Sequence, residues 1–383
     1  MNGKKVPFTI LILAIWAGMI IIAVALCFVT STNDVSPYYD EMTEAANIAD
    51  RAMEEIRKYK TERGMEIYDY DKLGTGMIGD KDYTAITTTE GVLEAKRTSC
   101  NPNWAAVIVS MFIRAGLRKG DQVCMVFSGS FPAMNICALA AAQAYGADVC
   151  VMAGIGASNY GANNPDFTFF DMAEYLCDIG VLNHRIDYVS LGGDGDTGKS
   201  FPDPTVKDAI EARIKASSST YVYEEDFQAN ISKRLEYMHK DVPNMKFLLN
   251  VGGSSVGLGT GVDAFIGSGY YEPGKLAHGG KLEQSKKTDG LLQVALSGGI
   301  PVASMLNIKG LAEKYGIPYD PDEKAVIGAE SGCNAYFSRS YDLTVPIIAL
   351  CISAAVFIFY YVYRVKSGAA GRKDERNRIL YRR

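Results

Sequence analysis

The sequence predicts an α/β domain built on a layered, parallel (Rossmann-like) sheet and flanked by two transmembrane helices. Continuous apolar strand segments alternate with helical segments through the middle of the chain, as parallel sheets with crossover helices require. Two long uncharged runs lie near the two ends of the 383 residues. We therefore expect a globular domain at 31–342 between membrane spans at 6–30 and 343–363.

Both apolar runs are long enough to cross a bilayer. Neither contains Asp, Glu, Lys, Arg or His, and a hydrocarbon core of about 30 Å needs roughly 20 residues of helix. A cleaved signal peptide is the alternative for 6–30. Its apolar core exceeds the roughly 7–15 residues of a signal peptide, and 27–29 (CFV) lacks small residues for cleavage. We expect an uncleaved anchor.

The second run carries the flanks of a membrane span rather than of a buried core helix. Tyr360, Tyr361 and Tyr363 form an aromatic belt at its end, and eight Lys and Arg residues follow in 364–383. This basic tail also suits contact with anionic lipid.

Basic residues at both ends predict the orientation. Lys4 and Lys5 lie in 1–5, whereas acidic residues follow the first run, and positive charge stays cytoplasmic. Both termini are therefore expected in the cytoplasm, with 31–342 extracytoplasmic at the plasma (inner) membrane.

The middle domain is acidic. Residues 31–342 hold 29 Lys and Arg against 42 Asp and Glu, a net charge of −13. A domain of this charge is a poor general binder of nucleic acid or other polyanions, so any anion site must be local.

Six cysteines lie in this domain, where an exported location permits disulfides. Their placement in apolar strand and helix segments favours small buried hydrophobes, with one disulfide left open. They are Cys100, Cys124, Cys137, Cys150, Cys177 and Cys333.

The first elements are predicted from periodicity. Apolar residues recur at helical spacing over 39–60, which predicts an amphipathic helix that forms a stalk or packs on the domain. A helix is expected at 104–115. A βαβ unit follows, with a strand at 122–127, a helix at 133–145 and a strand at 148–153.

The same alternation continues to residue 316. Helices are predicted within 167–180, 204–219 and 231–244, a strand and glycine loop within 185–198 and again within 245–259, and a strand and helix within 295–316.

Three glycine-rich loops follow predicted strands and are the candidate ligand-binding site. In open α/β sheets ligands bind beyond the carboxyl ends of strands, where backbone N–H groups can hold an anion. The alternative is tight turns that merely need glycine. The candidate residues are Ser128, Gly129 and Ser130, then Gly192, Gly193, Asp194 and Asp196, then Gly252, Gly253, Ser254 and Ser255.

Catalytic and cofactor motifs are incomplete. GIGASNYG at 154–161 has Asn159 where a dinucleotide fingerprint needs its third glycine, so no cofactor is predicted. GSSVG at 253–257 matches the GxSxG nucleophile elbow of hydrolases and would make Ser255 the nucleophile. A helix must follow such an elbow, and LGTGVDAF does not predict one. Asp263 and His278, which would complete the catalytic triad, lie too close together in sequence. Ser128, Ser130 and Ser254 are further weak candidates.

Charged side chains suggest two further contacts. Asp194 and Asp196 could ligate a divalent cation through carboxylate oxygens, although too few ligands surround them in sequence. The three histidines lack metal spacing. The loop 273–290 is basic within an acidic domain and could meet a polycarboxylate through Lys275, Lys281, Lys286 and Lys287, or be merely solvated.

Several long motifs resemble the poly-gamma-glutamate system protein family. They are EAKRTSCNPNWAA, GDQVCMVFSGSFPAMNICALAAAQAYGA, GASNYGANNPDFTFFDM, LGGDGDTG and NVGGSSVGLG. The resemblance covers the chain from the first apolar run to about residue 320. It implies a partner of the membrane machinery that makes or exports poly-gamma-glutamate, an anionic envelope (capsule) polymer, and it transfers no catalytic residue.

Three hypotheses follow. The first is a membrane accessory component of poly-gamma-glutamate synthesis or export that contacts synthase or export subunits and the polymer itself. The second is an extracytoplasmic hydrolase or transferase acting on gamma-glutamyl polymer ends. The third is a membrane-anchored sensor that binds a small anion.

Overall fold

The secondary structure alternates as the sequence predicts. A computed structural model describes residues 8–29, 31–262, 264–265, 267–274, 282–341 and 343–380. The strands are β1 (Thr32–Val35), β2 (Thr87–Thr89), β3 (Gln122–Ser128), β4 (Asp148–Gly154), β5 (Ala157–Ser158), β6 (Tyr188–Ser190), β7 (Thr220–Tyr221), β8 (Phe247–Val251), β9 (Gly269–Tyr271), β10 (Val302–Met305) and β11 (Phe337–Ser340). The helices are α1 (Phe8–Val29), α2 (Tyr39–Glu62), α3 (Leu93–Ser99), α4 (Trp104–Arg114), α5 (Pro132–Tyr145), α6 (Phe169–Asp178), α7 (Val206–Ala216), α8 (Phe227–Asp241), α9 (Ser255–Leu258), α10 (Leu291–Ser297), α11 (Ile308–Tyr315) and α12 (Thr344–Leu380).

A seven-stranded sheet organises residues Ser36–Tyr336, which form one of two units in the chain. Its strand order is β7-β6-β4-β3-β8-β10-β9, and every neighbouring pair is parallel except β10 with the edge strand β9. The central strands are buried along almost their whole length, which suits a parallel sheet covered on both faces. The predicted layered α/β fold is confirmed.

Helices cover the two faces of this sheet. On one face Phe112 of α4 packs edge-on against Phe247, and Phe169 of α6 packs against Phe127. On the other face Cys124 and its apolar neighbours in the central strands join one buried cluster with residues of α8 and α10. Because strand side chains alternate in direction, one continuous apolar strand supplies both layers.

Segment 39–60 is an integral layer of the unit, which corrects the stalk assignment. Helix α2 packs on α4 and α5 and buries its apolar stripe together with Lys60. The alanines at 45, 46, 49 and 52 are fully buried, because small side chains allow close helix approach.

A second, two-stranded sheet lies beside the main one. Strand β2 pairs in parallel with β5, which follows β4 directly. This pairing was not predicted, since both strands are very short.

The terminal segments form the other unit, and their helices pack antiparallel. Phe28 contacts Tyr341 and Trp16 contacts Phe357, while β1 pairs antiparallel with β11. Among the described residues, Pro346–Tyr363 is long and apolar enough to cross a membrane, and the apolar stretch Ala14–Val29 is shorter. Helix α12 continues to Leu380, so residues 364–380 of the basic tail are part of the same helix.

All eight cysteines are free thiols. Of the six in the middle domain, Cys177 is partly exposed and the others are buried. Most therefore act as small hydrophobes, as the sequence predicts.

A buried ion pair between Arg234 and Asp196 fixes the loop after β6. Arg234 is 2% exposed and bonds to the buried carboxylate of Asp196, which also accepts from Ser190 Oγ at 2.7 Å and from Asn230 Nδ2 at 3.1 Å. These bonds hold Asp196 at a φ of +68°, where side chains other than glycine are strained.

Replacing Asp196 tests this anchor. Asp196→Ala leaves the Arg234 guanidinium buried and unpaired, which should cost about 3–5 kcal/mol of unfolding free energy. Urea unfolding of the full-length chain in detergent measures it. Glu236→Ala, which breaks an exposed pair with Lys233, is the control and should cost under about 1 kcal/mol. Equal losses would contradict the anchoring role.

Candidate functional site

A cavity of about 470 Å³ opens where the parallel strands end. All three predicted glycine loops contribute to its wall, together with the β2 segment, helix α3 and the turn after β4. The residues that line it are Thr88, Thr89, Glu90, Gly91, Val92, Ala95, Lys96, Ser128, Ser130, Phe131, Gly154, Gly156, Ser158, Gly192, Gly193, Asp194, Ser200, Gly253, Ser254, Ser255 and Leu306.

Strand order explains why a cavity opens among these loops. The chain leaves β3 toward β4, β6 and β7 on one side and later returns to β8 on the other. The loops after β3 and β8 therefore diverge around the point where the topology switches, which is where α/β sheets bind ligands.

Glycines let these loops approach one another closely. Gly252 has a φ of +83°, and a Cβ there would lie 2.2 Å from Ser128 Oγ. A Cβ on Gly156 would lie 2.8 Å from Thr88 Cγ2 and 3.1 Å from the Gly193 nitrogen. Side chains at these positions would push the loops apart. Gly129 and Gly252 do not line the cavity themselves, but they allow the loops that form its wall to approach one another.

Three of the four candidate serines have structural partners. Ser128 Oγ donates to Val251 O at 3.5 Å, and Ser255 Oγ donates to Gly193 O at 3.2 Å. Ser254 Oγ caps α9 by accepting from Gly257 N at 3.1 Å. These bonds tie the loops together. Within the described part of the chain, none of these hydroxyls contacts a basic side chain.

Ser130 lies beside a serine and a lysine that the sequence did not single out. Its Oγ accepts from Ser158 N at 3.0 Å. Its carbonyl accepts from Lys96 Nζ, which also donates to Ser158 Oγ at 2.7 Å. Lys96 is 2% exposed and Ser158 is 4% exposed, yet both contribute to the cavity wall.

Burial sets the protonation of Lys96. Removing the ammonium from water disfavours its charge and lowers the pKa of Lys96 to about 7. The centre of the Phe131 ring lies 3.6 Å from Nζ and favours the charged form, but this contact replaces only part of the lost hydration. Near neutral pH the amine is therefore divided between charged and neutral states.

The cavity offers groups of both signs. The carboxylate residues Glu90 and Asp194 are exposed and contribute to its wall. At the start of α5 no side chain caps the helix, and the N–H groups of Ser130 and Phe131 donate to no acceptor among the described residues. The N-terminus of a helix favours negative charge.

The structure separates the two candidate cation ligands. Asp194 is exposed at the cavity, whereas the Asp196 carboxylate points to Arg234, Asn230 and Ser190. The described residues contain no group of three or more His, Cys, Asp or Glu that could hold a metal ion. Divalent-cation binding stays a prediction.

The remaining candidates are only partly described. One turn of helix, α9, spans Ser255–Leu258 within the GSSVG segment and was not expected from the sequence. Asp263, His278, Lys275 and Lys281 lie outside the described residues. Lys286 and Lys287 are exposed, in a turn that Asp289 closes by accepting from Lys286 N at 2.8 Å.

Neither Lys96 nor Ser158 was predicted as a site residue, because the sequence around each of them contains no motif that indicates function. Lys96 lies in the seven-residue helix α3, most of whose residues are polar. Ser158 follows a glycine-rich turn 62 residues later in the chain. Only the folded chain brings them together.

The buried state of Lys96 predicts a pH-dependent stability. Its folded pKa of about 7 lies below the ordinary value of 10.5, so the unfolded chain binds more protons between these values. Stability relative to Lys96→Met should therefore rise with pH by up to about 1.4 kcal/mol per unit in that window. Urea unfolding at several pH values measures it. Lys119→Met, which removes an exposed lysine, is the control, and a flat difference for Lys96→Met would contradict the buried amine.

Comparisons of this chain with protein-family models, curated proteins and solved structures give no match. What the cavity can bind therefore rests on its own chemistry and on the sequence.

Proposed function

We propose that this chain is a membrane-anchored accessory component of poly-gamma-glutamate synthesis or export, whose extracytoplasmic domain holds the amino end of the polymer in the cavity. One observation carries the proposal: the switch-point cavity combines N–H donors, hydroxyls and a buried lysine with two exposed carboxylate residues. Its volume lies within the roughly 300–1,000 Å³ of small-ligand sites.

The amino end of poly-gamma-glutamate has matching chemistry. Its first residue carries an ammonium and a carboxylate on one carbon and a γ-amide to the next residue. Glu90 and Asp194 suit the ammonium, while the N–H groups of Ser130 and Phe131 suit the carboxylate. The serine hydroxyls can bond the amide.

Net charge favours an end over the middle of the polymer. The domain carries −13 over residues 31–342, and interior polymer residues each add a carboxylate. Repulsion over a Debye length of about 8 Å should keep the body of the polymer off most of the surface. The exposed Lys286 and Lys287 are the proposed contact for the adjoining residues.

The two-pass arrangement is part of the proposal and rests on the two terminal apolar segments and the charges beside them. Helix α1 is apolar over its 22 residues, and its antiparallel contacts with α12 bring Trp16 to Phe357 and Phe28 to Tyr341. Antiparallel spans with basic residues at both chain ends favour cytoplasmic termini. The cavity domain would then face the polymer outside the cytoplasm.

Gene deletion followed by complementation tests this role. Deletion should abolish the polymer, and the wild-type gene should restore it. Gly253→Leu should fail to restore it, since a Cβ at Gly253 meets only Leu306 Cδ1 at 3.9 Å and a larger side chain would fill the cavity without displacing backbone. Polymer amount and chain length in culture are measured.

Ser232→Leu, on the exposed face of α8, is the matched control and should restore wild-type polymer. Unchanged polymer in the deletion strain would overturn the accessory role. If Gly253→Leu restores wild-type polymer while it is present at wild-type level in the membrane, the cavity has no part in the accessory role.

A further inference from the structure

We propose that Lys96 and Ser158 form a base–nucleophile pair that cleaves or transfers γ-glutamyl amide bonds bound in this cavity. This inference rests on the proposed function, because it takes the polymer end as substrate. It adds a reaction to what would otherwise be a binding site.

The contact between the two side chains is direct and enclosed. Nζ of Lys96 and Oγ of Ser158 are 2.7 Å apart, within the reach that proton transfer requires. Gly91 packs over the pair, since a Cβ there would lie 3.0 Å from Oγ and 3.1 Å from Cε of the lysine. The carbonyl of Ser130 accepts a second bond from Nζ and so fixes its direction.

The surroundings let the amine act as a base. Lys96 has lost most of its hydration, and Cys100 is the only titratable neighbour among the described residues that shifts its pKa. Burial raises the pKa of the Cys100 thiol to about 12, so the thiol is neutral near pH 7. Glu90 and Asp194 contribute to the same cavity wall. Lysine bases of this kind are activated by desolvation.

No other cavity serine has such a partner among the described residues. Ser128 and Ser255 donate to carbonyls, and Ser254 caps α9. Ser200 Oγ accepts from Asp194 N at 3.1 Å, and Ser130 Oγ accepts from Ser158 N at 3.0 Å. We therefore assign the role of nucleophile to Ser158 rather than to Ser255 of the GSSVG motif.

The reaction balances with water or an amine as the second substrate. Ser158 Oγ attacks the γ-carbonyl carbon as its proton passes to neutral Nζ, which gives a tetrahedral oxyanion. The carbon–nitrogen bond breaks, the leaving amine takes the proton from Nζ, and a γ-glutamyl ester remains on Ser158. Water or an amine then attacks that ester, gives a proton to Nζ, and Oγ takes the proton back as the ester bond breaks.

Donors for the oxyanion lie in the same wall. The N–H groups of Ser130 and Phe131 lie just before the 14-residue helix α5, which begins at Pro132, and have no acceptor in the part of the chain that the structure describes. Two backbone N–H groups at a helix start are typical of an oxyanion hole.

A fluorophosphonate probe and γ-glutamyl-p-nitroanilide test the pair on the full-length chain in detergent. We expect mass spectrometry to find the probe on Ser158 and p-nitroaniline to be released. Ser158→Ala and Lys96→Met should lose labelling and at least about 10³-fold in kcat, with little change in KM.

Matched controls separate chemistry from folding. Lys60→Met removes another buried lysine, whose Nζ donates to Gly76 O at 2.6 Å outside this cavity, and Ser219→Ala removes a buried hydroxyl bonded to Ile186 O. Both should keep wild-type rates.

Labelling on another serine, or release unaffected by Ser158→Ala, would overturn the pair. So would the absence of both label and release in the wild-type chain. If the Ser158→Ala gene nevertheless restores polymer in the deletion strain, the accessory role stands without the chemistry. Loss of complementation in Gly253→Leu alone would likewise support binding and not catalysis.

Discussion

Parallel strands end at one edge of a sheet, and the candidate site depends on this constraint. Because β3, β4, β6, β8 and β10 run in the same direction, the loops that follow them must lie together. The order in which the chain visits the strands then opens a gap between the loops after β3 and β8. Glycines such as Gly252 and Gly156 allow the close backbone approach that shapes the gap.

The sequence predicts the parts of this arrangement that depend on local pattern. Strand β3 is a continuous apolar run and α5 is rich in alanine, so both were found nearly to their ends. The glycine loops were identified because turns after strands need positive φ or close approach. For 39–60 the sequence left a stalk or a packed helix open, because an amphipathic pattern shows that a face is buried but not against what, and the structure shows the packed helix.

Other parts arise from contacts between distant residues. Strands β2 and β5 are too short to show alternation, and α3 has no apolar periodicity. Lys96 therefore gave no sequence signal, although its burial and its bond to Ser158 make it the most unusual group in the cavity. The sequence offered Asp196 only as a candidate cation ligand, and its bonds to Arg234 and Asn230 were not predicted because neither residue is near it in sequence.

If the three glycine loops form one site for a γ-glutamyl end, a bound end should protect all three at once. Hydrogen–deuterium exchange of the full-length chain, with and without a short γ-glutamyl oligomer, measures this directly. Slower exchange is expected at 128–131, 191–195 and 252–256 together, with no change in helix α6, none of whose residues line the cavity. Protection at only one loop, or none at the cavity, would contradict it.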